Sequence, residues 1–587
     1  MSKRRNTLFL ILFQLIKYSI IFFSIIPLTK VKCGSEIHLT MKNIKPEDNQ
    51  IVSEKFYKTP SKIKIDNNDK GAGKKFKLDW AGSHDIIITF NEDINSCENM
   101  FREIWGIEEI IFKSFTNLKP VSMANMFSST DSYGNNPLKK VVFENIDTSS
   151  VTDMSNIFLY AKKLEEVDLS KFNTAALKNM NSFFAYCLNL KSVNLFNFNT
   201  ASVTDMGKLF LNCTSLQKLN LSNFNTASVT NMGGFFWNCT NLEEVDISSF
   251  NTASVTDMSH FFEYCTKLKE IDLSNFNTAS VTTMHSMFRH CETLKVIDAR
   301  SFDTSQVTNM YDIFGYCYQL EYLNVNSFNT KKVQVMQGMF ISCKLKYLDL
   351  SHFDYTAMIS NKGSCNNKEC RFHCTFSYME KLICLNIESI YIDNDLIYTG
   401  SDNVDNEDKP FWGINSNIKY CFKPENMQNT QFSLTNSCSD PCFGEMSKKF
   451  DIKENKYVDN CGTSQFDYND ICWEGCPYHY YSEIIDGKRT CSKQAPGEHF
   501  FLDSEGIYEQ CYSTCNSCKG KGTESSHNCN DCASGFLFIS KSEDEHAIAN
   551  NCYKKCDKYY YFKSSNEYYC VNECPTGYKS ISKKRNV

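Results

Sequence analysis

The sequence has no long run of lysine or arginine, and its net charge is only −6 over 587 residues. A nucleic-acid partner needs a basic stripe to meet the phosphates, so that class of partner is excluded. No GxSxG, HExxH, phosphate loop or dinucleotide fingerprint occurs, so the chain does not read as an enzyme. Histidines and carboxylates do not recur beside the regularly spaced cysteines, so no metal or other cofactor is expected there. No apolar segment near the C-terminus is long enough to span a bilayer or serve as a lipid-anchor tail. The expectation is a secreted chain, or one held at a surface by something else, unless the sequence continues past Val587.

The N-terminus supports export. Lys3, Arg4 and Arg5 precede an apolar stretch from Leu8 to Leu28, the pattern of a secretory signal peptide over residues 1–34.

The middle of the chain repeats itself. Met154, Met180, Met206, Met232, Met258, Met284, Met310 and Met336 are spaced by 26 residues, each with a phenylalanine four residues on. Met123 with Phe127 and Cys97 with Phe101 begin two earlier copies, giving about ten units over 97–355. Within a unit Met258, Phe261, Phe262 and Cys265 follow i, i+3, i+4, i+7, which predicts a short helix capped by Thr256 with Asp257 behind it. Ile271-Asp272-Leu273 alternates and predicts a short strand. One strand, one turn and one short helix cannot bury their own apolar face, so units must stack. The fold class read here is an α/β solenoid. Residues 35–96, with Ile86, Ile87, Ile88 and Phe90, are its N-terminal cap. Residues 356–437 are its C-terminal cap, with Leu382, Leu385 and Ile387, and a linker.

Cys187, Cys213, Cys239, Cys265, Cys291, Cys317 and Cys343 each fall seven residues after the repeat methionine, where Ala161 stands in an earlier unit. A position that accepts alanine wants a small apolar group, and an odd number cannot pair completely. Strands stack at roughly 4.8 Å whereas helices are about 10 Å wide. The helix side should therefore splay, bending the array and holding neighbouring cysteines beyond the ~7 Å Cα limit for a disulfide. Free, buried thiols are expected.

The repeated pattern F-[ND]-T-x-x-V-T-x-M-x-x-[MF]-F-x-x-C-x-x-L-x-x-[LIV]-[DN]-L-S resembles the BspA-like class of leucine-rich repeats. That resemblance implies a leucine-rich-repeat horseshoe on a secreted or surface protein of a microbe, engaged in adhesion to matrix proteins, hosts or other cells.

From Cys365 onward there are 20 cysteines in 223 residues. In a chain bound for an oxidising compartment the default is ten disulfides. Residues 438–587, most clearly 511–578, resemble furin-like, growth-factor-receptor-type cysteine-rich repeats. Two CxxC pairs, Cys515/Cys518 and Cys529/Cys532, have a rival zinc reading that the signal and the cysteine density disfavour.

The outward strand positions offer a binding face. Their central column runs Asp168, Asn194, Asn220, Asp246, Asp272, Asp298, Asn324, Asp349. Calcium there is disfavoured, because 6–8 oxygens must converge. Toward the C-terminal end, Tyr322, Tyr347 and Arg300 stand beside Asp298. These types are enriched at interface hot spots, so Asp298, Arg300, Tyr322 and Tyr347 are the candidate ligand-binding residues, expected to protrude. The function expected is extracellular or cell-surface adhesion or recognition of a protein or glycan, with the cysteine-rich region as a stalk. The alternative is a structural coat antigen without a specific ligand.

Overall fold

The computed structural model describes residues 35–354 apart from 45–47, 79, 105, 117–118 and 131–135, then 356–357, 375–387, 418–422 and, with several interruptions, 448–571. The signal at 1–34, residues 388–417 of the expected cap and linker, Cys365, Cys438, Cys442 and Cys574 lie outside the described residues. The chain divides into two compact units, Met1–Leu242 with Ser249–Cys265 and Glu243–Ser248 with Thr266–Val587.

The first unit opens with a seven-stranded sheet. Its strands are β1 (Glu36–Ile44), β2 (Lys62–Ile65), β3 (Asn68–Gly71), β4 (Gly82–Thr89), β5 (Glu109–Thr116), β6 (Lys140–Phe143) and β7 (Glu166–Asp168), in the order β3-β2-β4-β1-β5-β6-β7. β1 is antiparallel to both β4 and β5, setting Leu39 beside Ile86 and Phe112. From β5 onward the pairing is parallel, with one strand per repeat. Alternation in β1 and β4 buries Ile37, Leu39, Met41, Ile86 and Ile88 on one face.

The expected helices are absent: the described repeats hold no α-helix. Each i, i+3, i+4, i+7 stretch is instead a pair of successive turns. Two residues per repeat take left-handed backbone, as in Asn156 (φ 55°) and Tyr160 (φ 61°), then Ser182 and Tyr186, Lys208 and Asn212, and Gly234 and Asn238. Left-handed residues every fourth position reverse the amides, so half point along the stack. Met154, Asn156, Phe158 and Tyr160 donate to Asn179, Asn181, Phe183 and Ala185 of the next repeat at 2.9–3.0 Å. Between them Leu159 and Ala161 bond three residues back at 3.1 and 2.9 Å. The apolar side chains still face inward, because turns of four residues and a helical face share that spacing; Met154, Phe158, Ala161 and Leu164 are fully buried. Asn156, Asn212, Gly234 and Asn238 tolerate this conformation, whereas Tyr160, Tyr186 and Lys208 are held in it by the bonds between repeats.

The remaining polar columns tie repeat to repeat. Buried Thr226 donates its hydroxyl to the Asn251 carbonyl and accepts the Asn251 amide, both at 2.8 Å. Thr148, Thr174 and Thr200 do the same in their repeats, and Thr304 does so in the second unit. Thr256, expected to cap a helix, donates to the Thr230 carbonyl at 3.1 Å. Asp257 Oδ1 closes a turn on the Ser259 amide at 2.8 Å. The repeat phenylalanines form an offset ladder: Phe158, Phe184, Phe210, Phe236 and Phe262 lie 5.4–5.7 Å apart, nearly parallel.

The cysteines of this column are free and buried, as is Cys97. The expected splay is absent, because the turns of successive repeats are joined by direct backbone hydrogen bonds and stack as closely as strands do. Direction and bonding replace it. Successive repeats are near-translations, so Cβ vectors run parallel and about 5 Å apart, against ~3.8 Å in a disulfide. Each thiol also donates to the phenylalanine carbonyl of the preceding repeat: Cys187 to Phe158 at 3.3 Å, Cys213 to Phe184 at 3.2 Å and Cys239 to Phe210 at 3.1 Å.

In the second unit the one-strand-per-repeat pattern recurs in β8 (Val296–Asp298) with β9 (Tyr322–Asn324), and in β10 (Tyr347–Asp349) with β11 (Cys384–Asn386) and β12 (Lys419–Cys421), all parallel. An eight-stranded sheet of short strands follows. It comprises β13 (Lys449–Asp451), β14 (Lys456–Val458), β15 (Phe466–Tyr468), β16 (Ile471–Trp473), β17 (Tyr481–Ile485), β18 (Lys488–Ser492), β19 (Phe500–Leu502) and β20 (Tyr508–Gln510). Disulfides Cys461–Cys472 and Cys476–Cys491 pin it. Cys511–Cys518 and Cys515–Cys529 hold the hairpin beyond it. Those two bonds consume three of the four cysteines of the zinc reading, which is thereby overturned.

Candidate functional site

The central Asp/Asn column is explained locally. In each repeat Oδ1 accepts the amide two residues on: Asp168 from Ser170 at 2.9 Å, Asn194 from Phe196 at 3.0 Å, Asp272 from Ser274 at 3.0 Å and Asp349 from Ser351 at 3.0 Å. Asp and Asn interchange because the turn needs one oxygen and no charge. The same bond holds the Asp168 carboxyl below its usual range, with the Ser170 amide as the largest cause.

The four residues expected to protrude toward a ligand lie together in the second unit: Tyr322 is buried, Asp298 and Tyr347 are half-buried, and Arg300 is exposed. The chain's own disulfide-pinned sheet meets Arg300, Tyr322 and Tyr347. Tyr322 is only 7% exposed and forms a core with Phe450 and Ile471, its ring 5.0 Å from that of Phe450. Tyr347 meets Tyr457 edge to face at 5.1 Å. Arg300 binds Asp298 at 2.9 Å, reaches Asp470 at 3.2 Å and donates to the Asn469 carbonyl at 2.7 Å. Lys346 donates to the Asn455 carbonyl at 2.8 Å. Large aromatics and arginine do mark an interface here, and its partner is residues 450–473 of the same chain. Burial raises the Tyr322 phenol above its ordinary value.

Beside this contact the two layers part and leave a cavity of about 600 Å³. One wall carries Asp246, Glu270, Asp272 and Lys295, although the strand expected at Ile271–Leu273 is not formed; the other carries Tyr468, Trp473 and Tyr480. Tyr480 donates to Asp272 Oδ2 at 2.8 Å, and its hydroxyl meets that of Tyr468 at 2.8 Å. Burial, then the Tyr468 hydroxyl, then Asp272 push the Tyr480 phenol far up, so it stays protonated. Sequence reasoning reached Asp298 and Arg300 on the rim but missed Tyr468, Trp473 and Tyr480. The available signal was the density of aromatics in FDYNDICWEGCPYHYY, more than disulfide pinning alone requires.

Among the described residues no cluster of histidine, cysteine or carboxylate side chains is arranged to hold a metal ion, and no helix is long and apolar enough to cross a membrane.

Residues 95–218, 189–296 and 265–372 match a family model described as "Mycoplasma protein of unknown function, DUF285". The three overlapping matches fall on the repeats, so this part of the chain is similar to that family; it is a series of repeated units, mostly β, followed by a disulfide-bonded cysteine-rich region. No curated protein and no solved structure matches the chain.

Proposed function

We propose that the chain is an extracellular recognition or adhesion protein. In this reading the repeats build a BspA-like solenoid of the leucine-rich-repeat kind, and the furin-like cysteine-rich region both extends it and completes its binding site. The observation that carries the reading is the cavity. It combines aromatic faces with unlike charges, which suits binding of an amphipathic ligand. The ligand is a protein or glycan at a cell or matrix surface.

The test is saturable binding. Fluorescently labelled full-length chain is titrated onto intact cells and onto immobilised matrix proteins, with unlabelled chain as competitor. Saturation and competition on at least one surface are expected. Linear, uncompeted adsorption on every surface refutes the reading and leaves a coat role.

A further inference from the structure

We propose that a cavity beside Trp80, in the first unit, binds a neutral monosaccharide ring, with the buried His84 imidazole accepting one of its hydroxyls. The inference goes beyond the recognition reading: the site belongs to the N-terminal sheet and shares no residue with the cavity of the second unit. This cavity, about 340 Å³, is lined by Asp66, Asn68, Trp80 and His84 with apolar Ile65 and Leu78. Its volume sits at the lower end of the roughly 300–1,000 Å³ of small-ligand sites, which suits one ring rather than a chain.

Local structure builds the site. β2 turns into β3 through Asp66 and Asn67, both with left-handed backbone (φ 49° and 68°), the conformation of a two-residue hairpin. Pairing of β2 with β4 then sets Asp66 beside His84 and Asp85. The Asp66 amide donates to the Asp85 carbonyl at 2.8 Å, and its carboxylate takes the Asp85 amide at 2.9 Å and His84 Nδ1 at 2.7 Å. His84 alternates in step with Ile86 and Ile88 on the inward face of β4 and is 2% exposed. A ring nitrogen that faces a carboxylate carries the proton, so Nε2 of the neutral imidazole keeps a lone pair. Nε2 is buried and has no hydrogen-bond partner. A buried acceptor left unmatched is costly, so this atom calls for a donor that the chain does not supply.

The surroundings of Nε2 narrow the donor. The Trp80 ring lies 4.8 Å from that of His84 at 66°, and Trp80 is 49% exposed. An indole half open to solvent, next to an unmatched acceptor, fits a ligand with a flat apolar face and a hydroxyl at its edge, which describes a pyranose. Its C–H face covers Trp80, one hydroxyl donates to Nε2, and the exposed Asn68 amide both donates and accepts. Nε2 is reached by a shift of the half-exposed Trp80 ring. An anion would meet the Asp66 carboxylate and a lone pair. An ammonium could donate to Nε2, but Lys70 already lines the cavity and the Asp66 carboxylate is shared between His84 and Asp85. A purely apolar ligand would leave Nε2 unmatched.

Saturation-transfer NMR and calorimetry on the full-length chain test this with the methyl glycosides of glucose, galactose, mannose and N-acetylglucosamine, and with glucuronate and ethanolamine as charged controls. At least one neutral glycoside should bind with a Kd below about 10 mM, and both controls at least about tenfold more weakly. Trp80→Ala should weaken binding at least about tenfold with an unchanged melting temperature, since the ring is half exposed. His84→Phe keeps a ring and removes the acceptor, and should weaken binding several-fold. Should that variant not fold, nitrogen-15 NMR of the parent reads the same contact, because the His84 Nε2 resonance should shift as the glycoside saturates. Failure of all four glycosides to bind, binding untouched by Trp80→Ala, or an Nε2 resonance that stays put at saturation overturns the site and leaves a buried water as the partner of Nε2. Binding of glucuronate or ethanolamine in place of the sugars, lost in Trp80→Ala, overturns the ligand class.

Discussion

Raising the pH should unfold the repeats through their thiols. A free cysteine in an unfolded chain titrates near 8.5. In the fold, burial raises the thiols of Cys97, Cys187, Cys213, Cys239 and Cys265 in the first unit, Cys239 to about 12. A folded value above the unfolded one means that the stabilisation is fully present below about pH 8.5 and is lost as the pH climbs toward the folded value. Between pH 7.5 and 9.5 the unfolded state gains about 1.4 kcal/mol per thiol. Over five thiols that is about 7 kcal/mol, comparable with the whole stability of an ordinary domain. Urea unfolding followed by tryptophan fluorescence at the two pH values should show the midpoint fall steeply. Cys239→Ala should cost on the order of 1 kcal/mol at pH 7.5, because buried Ala161 already occupies an equivalent site. The same variant should reduce the loss between the two pH values by about 1.4 kcal/mol. Equal midpoints at both pH values, or an unchanged pH-dependent loss in Cys239→Ala, would refute the argument.

Three further outcomes are expected. Denatured, unreduced protein treated with an alkylating agent should carry the label on Cys97, Cys187, Cys213, Cys239, Cys265, Cys291, Cys317 and Cys343; a Cys213–Cys239 disulfide found by mass spectrometry contradicts the parallel-vector argument. Thr226→Val should destabilise by about 1–3 kcal/mol, since it leaves the Asn251 amide and carbonyl without the buried hydroxyl they bond, whereas Thr226→Ser should cost under ~1 kcal/mol; equal melting temperatures for the two variants rule out the threonine lock. Tyr322→Ser should lower stability by about 3–5 kcal/mol, as expected of an aromatic removed from a core. Glu166→Ser, which loses an exposed ion pair to Lys140, should cost under ~1 kcal/mol. A tyrosine variant with the parent's melting temperature would return Tyr322 to the list of free ligand contacts.

The sequence by itself determined the repeat, its length and its inward residues. A 26-residue spacing of Met, Phe, Cys and Leu puts the same side chain on the same face in every copy, and burial of that face forces stacking whatever the backbone does. It also determined that the column cysteines stay free, through their single occurrence per copy and the alanine precedent at Ala161. It did not determine the backbone between methionine and cysteine. Two four-residue turns and two helical turns place apolar residues at the same intervals, so periodicity could not separate them. The clue was at the solvent positions, where Gly233-Gly234, Asn212, Asn238 and His260 are poor helix formers and several tolerate left-handed backbone. Tertiary structure decided the rest. Asp298, Arg300, Tyr322 and Tyr347 are more than a hundred residues from Phe450, Asp470 and Tyr480 in the chain, and nothing local to either segment encodes their meeting. Packing across that distance drew Arg300, Tyr322 and Tyr347 into an internal interface and opened the cavity beside it.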